Sequence, residues 1–476
     1  MLSTVDAAAV AHSQSTKKKV HIETWGCQMN VADSERMLSL LESQNYELTG
    51  AGAESADLIL LNTCHIREKA RHKVLSRLGV LDQLKAKNPD LKIAVTGCVA
   101  QADGKKLLEL APQVDVLIGP GKIDELPKLL RENRETGLQA SATGFDRHSA
   151  KDENPEHGQI SDEPMIHIPS VTGKKEVTRF VNINQGCNNF CTFCVVPFTR
   201  GREISRSKDE ILKEVRYMVS QGAREITLLG QNVNSYGLDL IGREDIPADG
   251  GPFADLLRSV AEVEGLDRVR FTTSNPHDFT RPLAELFGNY PKLGAYIHLP
   301  VQAGNDRTLE RMKRKVTVAQ YMERIQWLRD AVPQIAISTD LIVGFPGETE
   351  EEFEDTLKLI EAVRYSFVFA FKYSPRKGTA AARFVDQVPE DLKDSRLARL
   401  NALQDKITLE LALADVGSVK EVLFIYESRK NPGIWVGKTP EYRTVRVRSS
   451  GDLLGKTLPV KITGGNKIAL LGDLTH

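Results

Sequence analysis

Arg179-Phe-Val-Asn-Ile-Asn-Gln-Gly-Cys187-Asn-Asn-Phe-Cys191-Thr-Phe-Cys194 reads as an alternating strand that passes through Gly186 into three cysteines at C-x3-C-x2-C spacing. Three thiolates on one loop can hold three irons of a cubane cluster and leave the fourth iron without a protein ligand, so that iron can bind a small molecule. Clusters and zinc sites that only brace a fold normally take four protein ligands, and no histidine or further cysteine stands close by to complete this set. The plainer readings are a zinc site closed from a distance, or three buried cysteines acting as small hydrophobes. Phe193, directly before the last cysteine, is placed to lie flat against a purine.

Outward from this loop, residues 171–410 repeat a strand–helix unit around six candidate strands, 179–185, 225–229, 268–273, 295–299, 335–339 and 366–372. Polar residues sit just past the strand ends, where barrel enzymes keep their chemistry: Gln231 and Asn232, Ser274 and Asn275, Gln302, Asp340, Tyr373 and Ser374. A strand-end polar residue is also a common helix N-cap or turn former, so position alone leaves both roles open. Six strands fall short of a closed eight-strand barrel.

The preceding block, residues 18–138, reads as strand, cysteine, helix three times over, with Cys27, Cys64 and Cys98 at the ends of apolar segments. Such segments alternating with helices predict a parallel sheet, whose ligands gather at the carboxyl ends of its strands. Thiols placed there, each with a helix N-terminus behind it, are biased towards thiolate and make a second three-ligand site. Three independent core cysteines are the alternative. Residues 1–17 read as a disordered leader and the polar stretch 139–170 as a linker. Over 411–476 the pattern changes to short alternating segments that predict a small antiparallel β-barrel. The fold class is α/β: an N-terminal parallel α/β domain, a central partial (β/α)6 TIM-type barrel and the C-terminal barrel.

A length of 476 residues leaves room for about three domains. The net charge of −1 is unevenly spread: residues 414–476 hold ten Lys and Arg against six Asp and Glu, a net of +4 against −5 elsewhere. Arg446 and Arg448 project from one face of a strand, which suits tracking a phosphate backbone; a solvated basic face is the alternative. No apolar run approaches the roughly 18 residues of a membrane span, and the N-terminal alanines are too short for a signal sequence, so the expected location is cytoplasmic. Six sparse cysteines in a reducing compartment are metal ligands more readily than disulfides.

The cysteine loop resembles the radical S-adenosylmethionine superfamily, whose signature is this spacing with an aromatic before the last cysteine. Glu23-Thr-Trp-Gly-Cys-Gln-Met-Asn30, Asn62-Thr-Cys-His-Ile-Arg-Glu-Lys-Ala70 and Thr96-Gly-Cys-Val-Ala-Gln101 resemble the three cysteine motifs of the methylthiotransferase family within it. Thr339-Asp-Leu-Ile-Val-Gly-Phe-Pro-Gly-Glu348 resembles the family's glycine-rich strand that backs the adenine. The residues after Cys64, with Cys191-Thr-Phe-Cys-Val-Val-Pro-Phe-Thr-Arg-Gly201, are most similar to a tRNA-acting branch; the ribosomal-protein and threonylcarbamoyl-adenosine branches differ after the second cysteine. One departure is Lys377, where the family's Ser-Pro-Arg-x-Gly-Thr motif has proline.

The resemblance implies a partial barrel open on one side for a large substrate and a C-terminal RNA-binding module of TRAM type. It implies two 4Fe–4S clusters, a radical cluster on Cys187, Cys191 and Cys194 and an auxiliary one on Cys27, Cys64 and Cys98. It also implies S-adenosyl-L-methionine, two molecules per product: one methylates a cluster-bound sulfur, the other generates the radical that takes hydrogen from carbon 2 of N6-isopentenyladenosine at position 37 of tRNA. The expected contacts to S-adenosylmethionine are Phe193, Gln231, Asn232, Ser274 and Asp340, and Arg200 and Arg202 are candidates for a cofactor carboxylate or an RNA phosphate. Expected partners are the anticodon stem-loop of tRNA, a reductant protein such as a flavodoxin, and an iron–sulfur or sulfur carrier, with no membrane. The rival classes are a methylthiotransferase acting on a ribosomal protein and a non-enzymatic iron–sulfur RNA sensor.

Overall fold

Short apolar strands separated by helices bury both faces in a parallel sheet covered on both sides. The computed structural model, which describes residues 17–64, 68–144, 176–243 and 245–475, contains that sheet. Strands β1 (Lys18–Trp25), β2 (Tyr46–Leu48), β3 (Leu58–Thr63), β4 (Lys92–Gly97), β5 (Val116–Ile118) and β6 (Ala140–Ala142) run parallel in the order β2-β1-β3-β4-β5-β6. Side chains alternate across it. Ile59, Leu61, Ile93 and Val95 bury on one face with Val74, Leu78 and Leu81 of helix Glu68–Lys87, while Leu58, Leu60 and Ala94 bury on the other with Met37, Leu38 and Leu41 of helix Gln28–Glu42. Strand β6 corrects the expectation that 139–170 is all linker: it is an edge strand of Ala-Ser-Ala paired with β5, too small and polar to show an apolar pattern. The stretch from 145 onward, like residues 1–16 of the leader, lies outside the described residues.

In the central block β7 (Thr178–Asn182) leads into β8 (Asn184–Gln185), which pairs with β9 (Ile204–Ser205) around the cysteine loop. The remaining strands are β10 (Glu225–Leu229), β11 (Arg268–Phe271), β12 (Tyr296–His298), β13 (Ala336–Val343) and β14 (Phe367–Lys372). They form two parallel arcs, β11-β10-β7 and β12-β13-β14, with β11 beside β12, so the six expected strands make an open partial barrel. Helices begin where side chains satisfy their first amides: Thr317 with Gln320 and Thr349 with Glu352 form capping boxes. Strand β13 runs four residues past Thr339 because Leu341 and Val343 continue the buried alternation, so Asp340 stands within the strand and not beyond it.

After helix Glu390–Ala414, β15 (Val419–Glu427), β16 (Ile434–Lys438), β17 (Thr444–Arg448), β18 (Thr457–Gly465) and β19 (Leu470–Leu474) close in the order β15-β16-β17-β19-β18. The expectation of an antiparallel barrel needs one amendment: β17 and β19 run parallel. Five strands around a closed ring cannot all alternate in direction, so one neighbouring pair has to agree.

Two buried polar seams join these units. Arg270 on β11 donates to Glu225 (2.9 Å) and to the carbonyls of Thr439 (3.0 Å) and Pro440 (3.0 Å), and its neighbour Tyr296 stacks on Tyr442 at 4.8 Å between ring centroids. On the other side, helix Gln28–Glu42 packs on β7: Arg200 meets Asp33 (2.8 Å), Asn182 donates to Asp33 (3.3 Å) and Arg179 meets Glu35 (3.3 Å).

Arg270→Ala would strand the buried Glu225 carboxylate, and denaturant unfolding should show a loss of about 3–5 kcal/mol. The Glu35 carboxyl is pushed up to about 7 by burial, which outweighs the attraction of Arg179. The folded protein therefore holds this proton more tightly than the unfolded chain, whose value is near 4.5. The resulting stability is fully present below pH 4.5 and is lost as the pH rises through about 7, and Glu35→Gln should remove that part of the slope in a melting-temperature series.

Candidate functional site

Parallel topology puts Cys27, Cys64 and Cys98 on one edge of the first sheet, just past β1, β3 and β4. The three loops also touch. A Cβ on Gly26 would lie 2.8 Å from Cys64 Cβ, and one on Gly97 would lie 2.2 Å from the carbonyl oxygen of Thr63, so only glycine allows this approach. Buried asparagines wire the loops together. Asn30 donates to Asn62 Oδ1 (2.9 Å), Asn62 donates back to the Asn30 carbonyl (2.7 Å) and to Ser34 (2.8 Å), and Thr63 donates to the Thr96 carbonyl (2.6 Å). Asn30 Oδ1 in turn accepts from the Cys27 backbone N–H (3.3 Å) and from its thiol (3.4 Å). All but Ser34 belong to the motifs quoted above, but nothing in their spacing disclosed that they hold the cysteines in register.

The second loop is fixed just as closely. Gly186 has φ +81°, and a Cβ there would lie 1.9 Å from the Arg202 carbonyl oxygen. The Cys187 N–H donates to the Gly201 carbonyl (3.1 Å), the Thr192 N–H to the Met312 carbonyl (3.1 Å) and the Cys194 N–H to the Cys191 carbonyl (3.0 Å). Each sulfur receives a donor: Asn189 Nδ2 on Cys187 (3.5 Å), Arg314 Nη1 on Cys191 (3.6 Å) and the Val196 backbone N–H on Cys194 (3.5 Å). Burial pushes the Cys187 thiol up to about 11 and the Cys194 thiol up to about 12. Iron binding would override this, since a coordinated thiol is deprotonated outright. Among the described residues no three His, Cys, Asp or Glu side chains converge on the scale of a single metal ion. Three cysteines in each set, with an N–H aimed at each sulfur of the second, would suit a cubane that takes one thiolate per iron.

The two sets meet at the domain junction. Helix Cys98–Asp103 packs on helix Val196–Thr199, which follows Cys194. Arg200, offered by the sequence to a cofactor or RNA, is instead buried against Asp33; burial disfavours its charge, but Asp33 and then the thiols of Cys98 and Cys27 hold its pKa above the ordinary value. Arg202 lies over the Phe190 ring at 4.3 Å. Gln231 accepts from the Gly186 N–H (2.5 Å) and donates to the sulfur of Met29, bracing one cysteine loop against the other.

At the barrel strand ends, Asn232 is buried and donates to Asp278 (2.6 Å), while its Oδ1 has no partner. Ser274 Oγ and Tyr373 Oη are also buried without a partner, as expected of atoms that await a polar ligand. Thr273 (φ +68°) and Gln302 (φ +84°) hold left-handed backbone past β11 and β12, and strain of this kind gathers at functional sites. Phe193 is half-buried against the barrel core. Asp340 lies 3.6 Å from His298 Nε2, and the other ring nitrogen shares a hydrogen bond with Ser338 Oγ (2.8 Å), which also bonds Tyr296 (2.7 Å). His298 escaped the sequence reading, although its place two residues after Tyr296 on a strand was a signal. The Lys377 departure is absorbed locally: the Thr379 N–H still closes the turn on the Arg376 carbonyl (3.1 Å). In the C-terminal barrel Arg446 and Arg448 are exposed on one face of β17 while Val445 and Val447 are buried.

Residues 19–119 match the uncharacterized protein family UPF0004, residues 181–360 the radical SAM superfamily and residues 414–475 the TRAM domain. The tRNA-2-methylthio-N(6)-dimethylallyladenosine synthase of Pseudomonas syringae pv. syringae (strain B728a) is 45% identical over 460 residues, 96% of this chain and 99% of that one. The synthase of the same name from Syntrophotalea carbinolica is 43% identical over 460 residues, with the same coverage. Among solved structures, the radical S-adenosylmethionine methyltransferase TsrM from Kitasatospora setae superposes with TM-score 0.54 at 15% identity, covering 77% of each chain, a likeness of fold alone. By its near full-length identity to these relatives and its three matched domains, the chain belongs to the tRNA-2-methylthio-N(6)-dimethylallyladenosine synthase family of radical S-adenosylmethionine enzymes.

Proposed function

We propose that the chain is a tRNA methylthiotransferase that converts N6-isopentenyladenosine at position 37 to its 2-methylthio derivative. The observation that carries this is the meeting of two cysteine triplets at one domain junction, each wired by hydrogen bonds. Residues 18–138 form the auxiliary-cluster domain, 171–410 the radical domain and 411–476 the RNA-binding domain. Cys187, Cys191 and Cys194 hold the radical 4Fe–4S cluster; Cys27, Cys64 and Cys98 hold the auxiliary one. Bound together, the clusters and S-adenosylmethionine, two molecules per product, supply one-electron and sulfur chemistry that no side chain provides.

The protein's own part is placement. Asn189, Arg314 and the Val196 amide aim N–H groups at the three sulfurs, an arrangement that tunes an iron–sulfur cluster. The unpartnered Asn232 and Ser274 oxygens would take polar groups of S-adenosylmethionine, with Phe193, Gln231 and Asp340 completing its site. Arg446 and Arg448 track phosphates of the anticodon stem-loop. Among the described residues no helix is long and apolar enough to cross a membrane; the enzyme acts in the cytoplasm. A reductant protein such as a flavodoxin and an iron–sulfur or sulfur carrier complete the partners.

Anaerobic reconstitution should load about eight irons, and Cys187→Ala should remove about half. Replacing Cys27, Cys64 and Cys98 together should abolish methylthio product, read by mass, while reductive cleavage of S-adenosylmethionine persists. A single zinc per chain would contradict the assignment. Changing Arg446 and Arg448 to Ala should weaken tRNA binding and flatten its salt dependence by about 0.9 log–log unit for each phosphate that is no longer neutralised.

A further inference from the structure

The backbone of Arg200 belongs to the radical set of cysteines. Its N–H donates to the Val196 carbonyl (2.8 Å), closing the helix that follows Cys194, and the carbonyl of its neighbour Gly201 accepts from the Cys187 N–H (3.1 Å). Its side chain belongs to the first domain. Nη2 donates to one oxygen of Asp33 (2.8 Å), on the helix that starts directly after Cys27, and the other Asp33 oxygen accepts from Asn182 (3.3 Å), so the carboxylate is engaged at both ends. The Arg200 side chain is 3% exposed, and its Nη1 is buried with no hydrogen-bond partner.

A buried guanidinium rarely leaves N–H groups unused, because their lost hydration is then uncompensated. The surroundings narrow the missing acceptor. The Val196–Thr199 helix that leads into Arg200 packs on helix Cys98–Asp103, which opens with Cys98, while Asp33 sits on the helix that opens beside Cys27. Burial works against the guanidinium charge, and after Asp33 the groups that support it most are the thiols of Cys98 and Cys27. The free N–H groups thus lie between two ligands of the auxiliary set, out of reach of an RNA phosphate at the surface. A negatively charged, sulfur-rich group held there is the acceptor that the site lacks.

Resting on the two-cluster reading above, we infer that Arg200 is a positioning residue for the auxiliary cluster, its Nη1 N–H groups donating to a sulfur of the group held by Cys27, Cys64 and Cys98. Asn189, Arg314 and the Val196 amide play this part for the radical set; Arg200 plays it for the auxiliary set from the opposite domain. Reduction adds negative charge to a cluster, so an N–H donor that carries positive charge favours the reduced form. Arg200 therefore raises the reduction potential of the auxiliary cluster.

The test uses the full-length chain with Cys187, Cys191 and Cys194 changed to Ala, reconstituted anaerobically so that the auxiliary cluster is the one present, and a redox titration followed by electron paramagnetic resonance. In this parent, Arg200→Met combined with Asp33→Asn removes the donor without burying an unpaired carboxylate, and the equilibrium between the oxidised and reduced cluster should move at least fivefold towards the oxidised form. Asp33→Asn alone keeps the Arg200 donor and removes a negative charge, so the equilibrium should stay in place or move towards the reduced form. Should the double variant fail to load iron, Arg200→Gln carries the test, with at least a threefold move towards the oxidised form expected. A smaller move in the variant that carries the test overturns the inference. So does an equal move towards the oxidised form in Asp33→Asn, which would mean that a loosened seam and not a lost donor is being read. Loss of S-adenosylmethionine affinity in the otherwise unaltered enzyme, with the auxiliary potential unmoved, also overturns it and assigns Arg200 to the cofactor. Iron content separates the two levels. A parent that loads about four irons, with no such move in its variants, removes only the role of Arg200, whereas a parent that loads none removes the auxiliary-cluster assignment and the inference with it.

Discussion

The junction of Arg200 with Asp33 is the constraint on which the rest of the site depends. The guanidinium is buried where the Gln28–Glu42 helix meets the barrel, with the thiols of Cys27 and Cys98 acting on its charge. A charge in such a place is tolerated only while its partner stays in position, so the pair fixes the first sheet against the barrel with little freedom to slide. Arg179 with Glu35 adds a second buried pair along the seam, and Gln231, between Gly186 and Met29, adds an uncharged brace. The proposed chemistry, shared between two sets of cysteines, demands this geometry, because a group held by one set would be useful only within reach of the other.

Much of this was legible because the signals were local. The cysteine loop announces itself by spacing, the six barrel strands by apolar runs, and the C-terminal segments by alternation. Cys27, Cys64 and Cys98 were readable as a set because parallel strands place their carboxyl ends on one edge. What escaped depended on partners distant in sequence. Arg200 looks like a free cation until Asp33 is seen against it. Asn30 and Asn62 look like family punctuation until their amides are seen exchanging hydrogen bonds. Strand β6 has no apolar face to report, and Asp340 looks like a strand-end residue because its charge interrupts an apolar run that in fact continues along the same strand.

The barrel interior divides its labour along its axis. At the amino-terminal ends of the strands Arg270, Tyr296 and Tyr442 form a packed polar and aromatic plug that seats the C-terminal domain. Higher up, Ser338, His298 and Asp340 form a short polar chain, and past the strand ends lie left-handed Thr273 and Gln302 with the unpartnered Ser274 and Asn232 oxygens. Packing dominates at the base and unsatisfied polarity at the rim. Backbone strain is maintained only where surrounding structure over-determines it, and the plug below supplies part of that rigidity.

The parity of the five-strand ring has an effect beyond its one parallel pair. A closed ring leaves no strand with a free row of amides and carbonyls, so the C-terminal module offers nothing for another chain to extend by strand addition. Whatever it binds must be met by side chains standing out from the ring, such as Arg446 and Arg448, or by the loops between strands. Arg268 and Arg270 direct their hydrogen bonds at the backbone carbonyls of Glu421, Lys438, Thr439 and Pro440, so the module's outward residues are free to drift in sequence without loosening those bonds. Attachment and recognition thus lie largely on separate atoms, which lets evolution retune the second while leaving the first intact.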